Sequence, residues 1–217
     1  MKISIFKKLF LVFVSVIIIG ITSCSNDTKK TFWDNGNLQS EIAYKSNEMH
    51  GIAIWYYKNG NKQQELTYLN GKINGLMYRY YETGKLESVS EYKMGLLDGL
   101  ATTYDNNGKK LSEENYSMDT LDGEINKWYS DGKPQMVGNY EDGLFQGRWI
   151  YYDVFGNIVG SGNYNSGSGI LKAWWGNGSL KREVSYKNNL KHGPEKEYNP
   201  EGMLIQTTIY NEGMMVK

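Results

Sequence analysis

Two histidines, one cysteine and several regularly spaced carboxylates and aromatics are the side chains that could do chemistry in this sequence of 217 residues. His50 and His192 could act as general bases or metal ligands. Each stands directly before a glycine, Gly51 or Gly193, in the same local pattern, and no serine or cysteine nucleophile motif accompanies either. Histidines at equivalent places in a pattern belong to the pattern, so no catalytic residue is assigned and the chain is not expected to be an enzyme. Glu41, Glu65, Glu113 and Glu183 all fall five residues after a glycine. Periodic acids of this kind read as a solvated strand face, with a cation or a basic partner as the lesser alternative. No metal and no cofactor is expected. The glycines never open a helix, which excludes a phosphate-cradling loop.

The elements that must position these residues follow from a period. The stretch from Tyr68 to Gly84 recurs at a step of twenty-four residues, eight copies in all. A turn glycine stands at Gly36, Gly60, Gly84, Gly108, Gly132, Gly156, Gly178 and Gly202, and a tyrosine follows each by eight residues, from Tyr44 to Tyr210. An aromatic precedes each glycine by four residues: Phe32, Tyr56, Tyr80, Tyr104, Trp128, Tyr152, Trp174 and Tyr198. Eleven residues after each glycine comes Gly, Asn or Asp, the types that tolerate positive φ. Asn-Gly or Asp-Gly between aromatic and β-branched runs is a hairpin signal. The expected fold is therefore all-β: about eight stacked β-hairpins in one elongated antiparallel sheet, on the order of 75 Å long at about 4.8 Å per strand. The step from Gly156 to Gly178 is twenty-two residues, which predicts a tighter connection between Gly167 and Gly169 and a local bend.

Side chains alternate along a strand, so the residue three before each turn glycine points away from the constant aromatic. That slot holds Trp33, Tyr57, Tyr81, Tyr129 and Trp175, but Asp105, Asp153 and Asn199 elsewhere. The constant aromatics read as structural. The five variable ones read as cross-strand packing or as a binding face, since exposed aromatics anchor partners. With 18 Tyr and 6 Trp against 6 Phe, the composition suits a one-layer sheet whose rings lie flat with polar tips in water.

The first residues stand outside this pattern. Lys2, Lys7 and Lys8 precede an apolar run from Leu9 to Ile19, too short to span a bilayer, which takes about twenty residues. Residues 1–23 read as a secretion signal, residues 24–31 as a lipidated cysteine with a short polar linker, and residues 32–217 as the repeat domain. Loss of the three leader lysines takes the formal charge from zero to three negative, and no basic stripe for nucleic acid remains. Cys24 is the only cysteine, so no disulfide can form within the chain.

Three resemblances add to this reading. Ile21-Thr22-Ser23-Cys24 resembles the lipobox of bacterial lipoproteins, which implies lipidation of Cys24 and attachment to a membrane of the bacterial cell envelope, facing periplasm or exterior. Tyr68, Gly71, Gly75, Tyr80, Tyr81 and Gly84 resemble the bacterial variant of the MORN repeat, from residue 32 to the end. That resemblance implies a non-enzymatic binding or scaffold protein with a protein partner, in an antitoxin-like or immunity-like relation. Trp55 to Gly60 also resembles the aromatic repeats of cell-wall-binding modules, which implies a glycan as the alternative partner.

Overall fold

The computed structural model describes residues 26–216; the expected secretion signal at residues 1–23 and Cys24 lie outside the described residues. The described chain is a single antiparallel sheet of 18 strand segments without a helix. Each strand pairs with its neighbours in sequence, from β1 (Asn26–Phe32) and β2 (Leu38–Lys45) through β3 (Glu48–Tyr56) and β4 (Lys62–Leu69). β5 (Lys72–Ile73) and β6 (Gly75–Tyr80) are two pieces of one strand, both paired with β4. The meander continues with β7 (Leu86–Lys93), β8 (Leu96–Tyr104), β9 (Lys110–Ser117), β10 (Thr120–Trp128), β11 (Pro134–Glu141) and β12 (Leu144–Tyr152). It ends with β13 (Ile158–Asn165), β14 (Ser168–Trp174), β15 (Leu180–Lys187), β16 (Leu190–Tyr198), β17 (Leu204–Asn211) and β18 (Met214–Met215). β1 includes residues 26–31, expected to be linker, and pairs with β2 throughout.

Two kinds of turn alternate along the two long edges. At the Asn-Gly turns only the glycine has positive φ, as at Gly36 (85°), and its N–H donates to the carbonyl of Trp33 at 2.9 Å. This is the three-residue hairpin closed by a glycine bulge rather than a two-residue primed turn. The primed turns lie on the opposite edge, where two residues join Lys45 to Glu48 and both have positive φ: Ser46 (52°) and Asn47 (67°). Seven further pairs follow, from Asn70-Gly71 to Glu212-Gly213. The second residue of each pair was recognisable from its type, whereas the first, which includes Met94 and Met118, was not.

Next to each full-length primed turn the outgoing strand carries two extra residues. Ile42 pairs with Ala53 and Tyr44 with Met49, so three residues of β3, including Gly51 (φ 101°), oppose Ala43 alone. The short repeat lacks this bulge: β13 and β14 pair in unbroken register from Gly160–Ala173 to Asn165–Ser168. Its primed turn, Ser166-Gly167, is intact. The two missing residues are thus the bulge, and the expected tightening of the connection itself does not occur.

Alternation sorts the strands into two faces. One row down the middle of one face gathers nearly all the buried side chains, with Ala53 opposite Leu66, Ile125 opposite Gly138, Trp149 opposite Gly162 and Val184 opposite Glu195. Around Trp149 the row thickens into a small core. The Trp149 indole meets Phe145 at 4.7 Å and Tyr140 edge-on at 5.1 Å, with Tyr164, Tyr186, Met136 and Tyr151 around it. Its Nε1–H donates to the carbonyl of Asn139 at 3.1 Å, which satisfies the polar end of a fully buried ring. Burial pushes the Tyr151 phenol up to about 12. At Tyr116 burial, followed by its 2.8 Å bond to the Glu114 carboxylate, likewise pushes the phenol up to about 12.

The indole finds room because Gly138 has no side chain. A Cβ there would overlap the ring of Trp149, and one at Gly162 would lie 2.6 Å from the ring of Tyr164. Gly138→Ala is therefore expected to destabilise the sheet by about 1–3 kcal/mol, the cost of overpacking a filled site, read from the midpoint of chemical denaturation. A variant as stable as the parent would show that the indole is not wedged over that glycine.

Candidate binding surface

The five candidate aromatics sit on the Asn-Gly edge, each at the start of a turn, and each is half-buried. Their polar tips are used within the protein. Trp33 Nε1–H donates to the carbonyl of Tyr56 (3.1 Å), Tyr57 Oη–H to Tyr80 (2.8 Å) and Tyr81 Oη–H to Tyr104 (2.7 Å). Tyr129 Oη–H donates to Tyr152 (2.7 Å) and Trp175 Nε1–H to Tyr198 (3.0 Å). The acceptor is always the carbonyl of the constant aromatic in the next repeat. The rings remain available in part, although Lys58 Nζ lies 5.5 Å from the Trp33 ring and Lys181 Nζ 4.4 Å from that of Trp175.

Where the same slot holds Asp or Asn, the side chain turns back on its own loop. Asp105 accepts from the amides of Asn107 and Lys109, Asp153 from Phe155 and Asn157, and Asn199 from Met203. The Lys109 amide is the main reason that the Asp105 carboxyl lies below the usual range, and the Asn157 side chain does the same for Asp153. The residue after the turn glycine supplies a second bridge. Asn37 Nδ2–H reaches the carbonyl of Lys58, Asn61 that of Glu82, and the Lys109 and Lys133 ammonium groups reach Ser130 and Val154, all at 2.8–2.9 Å.

The primed-turn edge is stitched as well. The N–H of the second turn residue donates to a carbonyl twenty-two residues earlier: Gly71 to Met49, Gly95 to Ile73, Asp119 to Leu97 and Gly143 to Leu121. The N–H of the first turn residue is met by a side chain of the preceding repeat, as Met94 by Asn74 (3.1 Å) and Ser166 by Gln146 (3.0 Å). Both histidines occupy this slot. His192 Nδ1 faces the Glu212 amide at 3.5 Å and His50 Nδ1 faces Asn70 Oδ1 at 3.2 Å. Sequence spacing marked them as equivalent, but the stitch itself was missed because its partner is twenty residues away.

The short repeat interrupts the seam on the Asn-Gly edge only; on the primed-turn edge Gly167 donates to Phe145 and Asn189 to Gly167, both at 2.9 Å. The Asn189 side chain also reaches past the short repeat: its Nδ2–H donates to the carbonyl of Gly143 and its Oδ1 accepts from the amide of Phe145, both at 2.8 Å and two repeats back. On the other edge Asp153 caps itself, and a cavity of about 450 Å³ lies between the turns, lined by Asp153, Asn157, Trp174 and Trp175 among others. The four periodic glutamates sit on the open face beside lysines, with Glu41 bonded to Lys30 (2.9 Å), Glu65 to Lys62 (2.6 Å), Glu183 to Lys172 (3.4 Å) and Glu113 to Lys110. Among the described residues no group of three or more His, Cys, Asp or Glu is placed to hold a metal.

Removing one stitch tests the seam. Tyr81→Phe is expected to cost about 1 kcal/mol, the net worth of a part-buried hydrogen bond, in equilibrium denaturation. Asp105→Asn, which keeps an acceptor as Asn199 does, should change little. Equal stabilities of all three proteins would contradict a bonding role for the slot.

A family model described as a MORN repeat variant matches residues 28–46, 49–70, 73–94, 97–118, 168–188 and 191–212, together more than half of the chain. Most of these segments run from one primed turn to the next, so the unit is the glycine-bulge hairpin. Residues 119–167, which hold Gly138, Trp149 and Gly162, are not among the matched segments. No curated protein gave a match. Repeats of this family mediate binding and scaffolding, and no catalytic family is matched. With its period, its stitched hairpins and these six segments in agreement, the chain belongs to the MORN repeat variant family.

Proposed function

We propose that the chain is a protein-binding scaffold held at a membrane of the bacterial cell envelope by lipid on Cys24, with a partner in an antitoxin-like or immunity-like relation. The observation that carries this reading is the stitched seam. Hydrogen bonds on both edges, and on the primed-turn edge alone after the Asp153 turn, fix each hairpin to the next, so equivalent surface positions recur about every 9.6 Å along a stiff ribbon. A partner then makes weak contacts in parallel, and their combined strength comes from effective concentration. Trp33, Tyr57, Tyr81, Tyr129 and Trp175 form the rim of this surface, tips committed and rings half-exposed. β1 starts at Asn26, two residues after Cys24, which supports a ribbon that begins near the lipid. Cys24→Ser should move the protein from the membrane fraction to the soluble one, and an unchanged distribution would end the anchoring claim. For the partner, crosslinking in native membranes should yield a defined one-to-one complex whose partner is inhibited as a toxin. Recovery of the protein alone would overturn the reading.

A second reading, glycan binding, is favoured by the cleft beside Trp174 and Trp175. Two indoles with the Asp153 carboxylate and the Asn157 amide offer a flat apolar surface next to hydroxyl-binding groups. Retention on cell-wall polysaccharide that is lost in Trp174→Ala would support it, and no retention of the parent would remove it.

A further inference from the structure

Two methionines stand where the backbone disfavours them. The first residue of a primed turn has positive φ, and Ser46, Asn70, Asp142, Ser166 and Asn188 are small or locally hydrogen-bonding types there. Met94 (φ 53°), Met118 (φ 46°) and Glu212 (φ 48°) are neither, and left-handed backbone is unfavourable for such side chains; of these the apolar ones are the two methionines. They are also 47% and 67% exposed, so each combines backbone strain with apolar surface in water. Strain that nothing local relieves is a reason to look for a role.

Between these two turns lies a cavity of about 410 Å³, lined by Lys93, Met94, Leu96, Asp98, Ser117 and Met118. Its two charged groups face one another, Lys93 Nζ to Asp98 at 3.9 Å, so the rest of its lining is largely apolar. Farther inward on the same face Leu100, Leu76 and Ile52 are exposed at one per repeat, with Thr67 and Glu91 on the strands between them. Apolar side chains therefore recur from the cavity along the ribbon axis with the period of the repeats, alternating with polar ones.

We propose that this cavity and the row beside it receive the apolar face of an amphipathic α-helix from the partner, an assignment that rests on the protein-binding reading above. The spacing is the argument. Two strand separations make about 9.6 Å per repeat, and seven residues of α-helix rise about 10.5 Å. A helix laid along the ribbon thus offers one apolar residue of each heptad to each repeat, with a drift of about 2 Å over the three positions from Ile52 to Leu100. Flexible, polarisable methionine side chains absorb a mismatch of that size. A lipid surface fits less well, because Glu91 stands in the row beside Leu76 and Asp98 lines the cavity, and both would face lipid headgroups that attract bases. The same acids suit a helix with lysine or arginine beside its apolar stripe.

The test uses the purified full chain and a synthetic peptide of about three heptads, leucine at the apolar positions and lysine on the flanks, followed by fluorescence anisotropy. Met94→Asn with Met118→Asn introduces the residue type found at Asn70 and Asn188, so folding is retained and thermal stability should rise. The double variant is expected to bind the peptide at least about tenfold more weakly, a loss of about 1.4 kcal/mol. Equal affinity of parent and variant, absence of binding to the parent, or a preference of the parent for phosphatidylcholine vesicles would overturn the assignment. If the crosslinked partner is captured equally by the double variant, this site is wrong and the protein-binding reading stands. If the parent captures no partner, that reading itself fails.

Discussion

A sheet one layer thick has two wet faces, so it depends on what joins one hairpin to the next. Hydrophobic burial is confined to a single row, with a thick core only around Trp149. The backbone groups at the two turn edges are the constraint, because a turn residue satisfies only part of its own hydrogen bonding. Here they are met across repeats: on one edge by phenols, indoles, amides and lysines that reach a carbonyl, on the other by turn amides that reach back to the preceding unit. Each bond is worth only about 0.5–1.5 kcal/mol net, but a repeat array adds its neighbour terms.

The core and the seams trade off along the chain. Around Trp149, Gly138 makes space for the indole and Gly162 for the ring of Tyr164, and aromatic edges close over the indole. In the following repeat the bulge is missing and no side chain of the Asp153 turn crosses to its neighbour, while on the opposite edge Asn189 adds bonds to Gly143 and Phe145 two repeats back. Farther on, the row becomes polar: Glu195 is buried at the place equivalent to Trp149 and is held by Arg182 (3.1 Å) and Lys191 (2.6 Å). A buried carboxylate is tolerable only with such partners.

Much of the fold was legible because backbone geometry leaves a residue-type trace. The Gly36 series, the Asn47 series and the tyrosines from Tyr44 to Tyr210 set the period, and the number of hairpins followed from it. The turn types were harder. Asn-Gly suggests a primed turn, and Asn70-Gly71 is one, yet the series also includes pairs such as Met94-Gly95, whose first residue breaks the usual preference. The variable aromatics were recognised as a set, but their bonds to carbonyls twenty-three residues away depend on register between strands, which no local pattern encodes. Trp149 carries no local mark in the sequence, because its burial is decided by Gly138 on the neighbouring strand.

Hydrogen exchange of single amides, followed by nuclear magnetic resonance, reaches the central claim most directly. The turn amides of Gly71, Gly95, Asp119 and Gly143 should be protected to the same degree as the central strand amides, since their acceptors lie in the preceding repeat and they are released only when the ribbon comes apart. Exchange of these four amides at the rate of an open loop, beside protected strands, would mean that the hairpins are not sewn together at their edges.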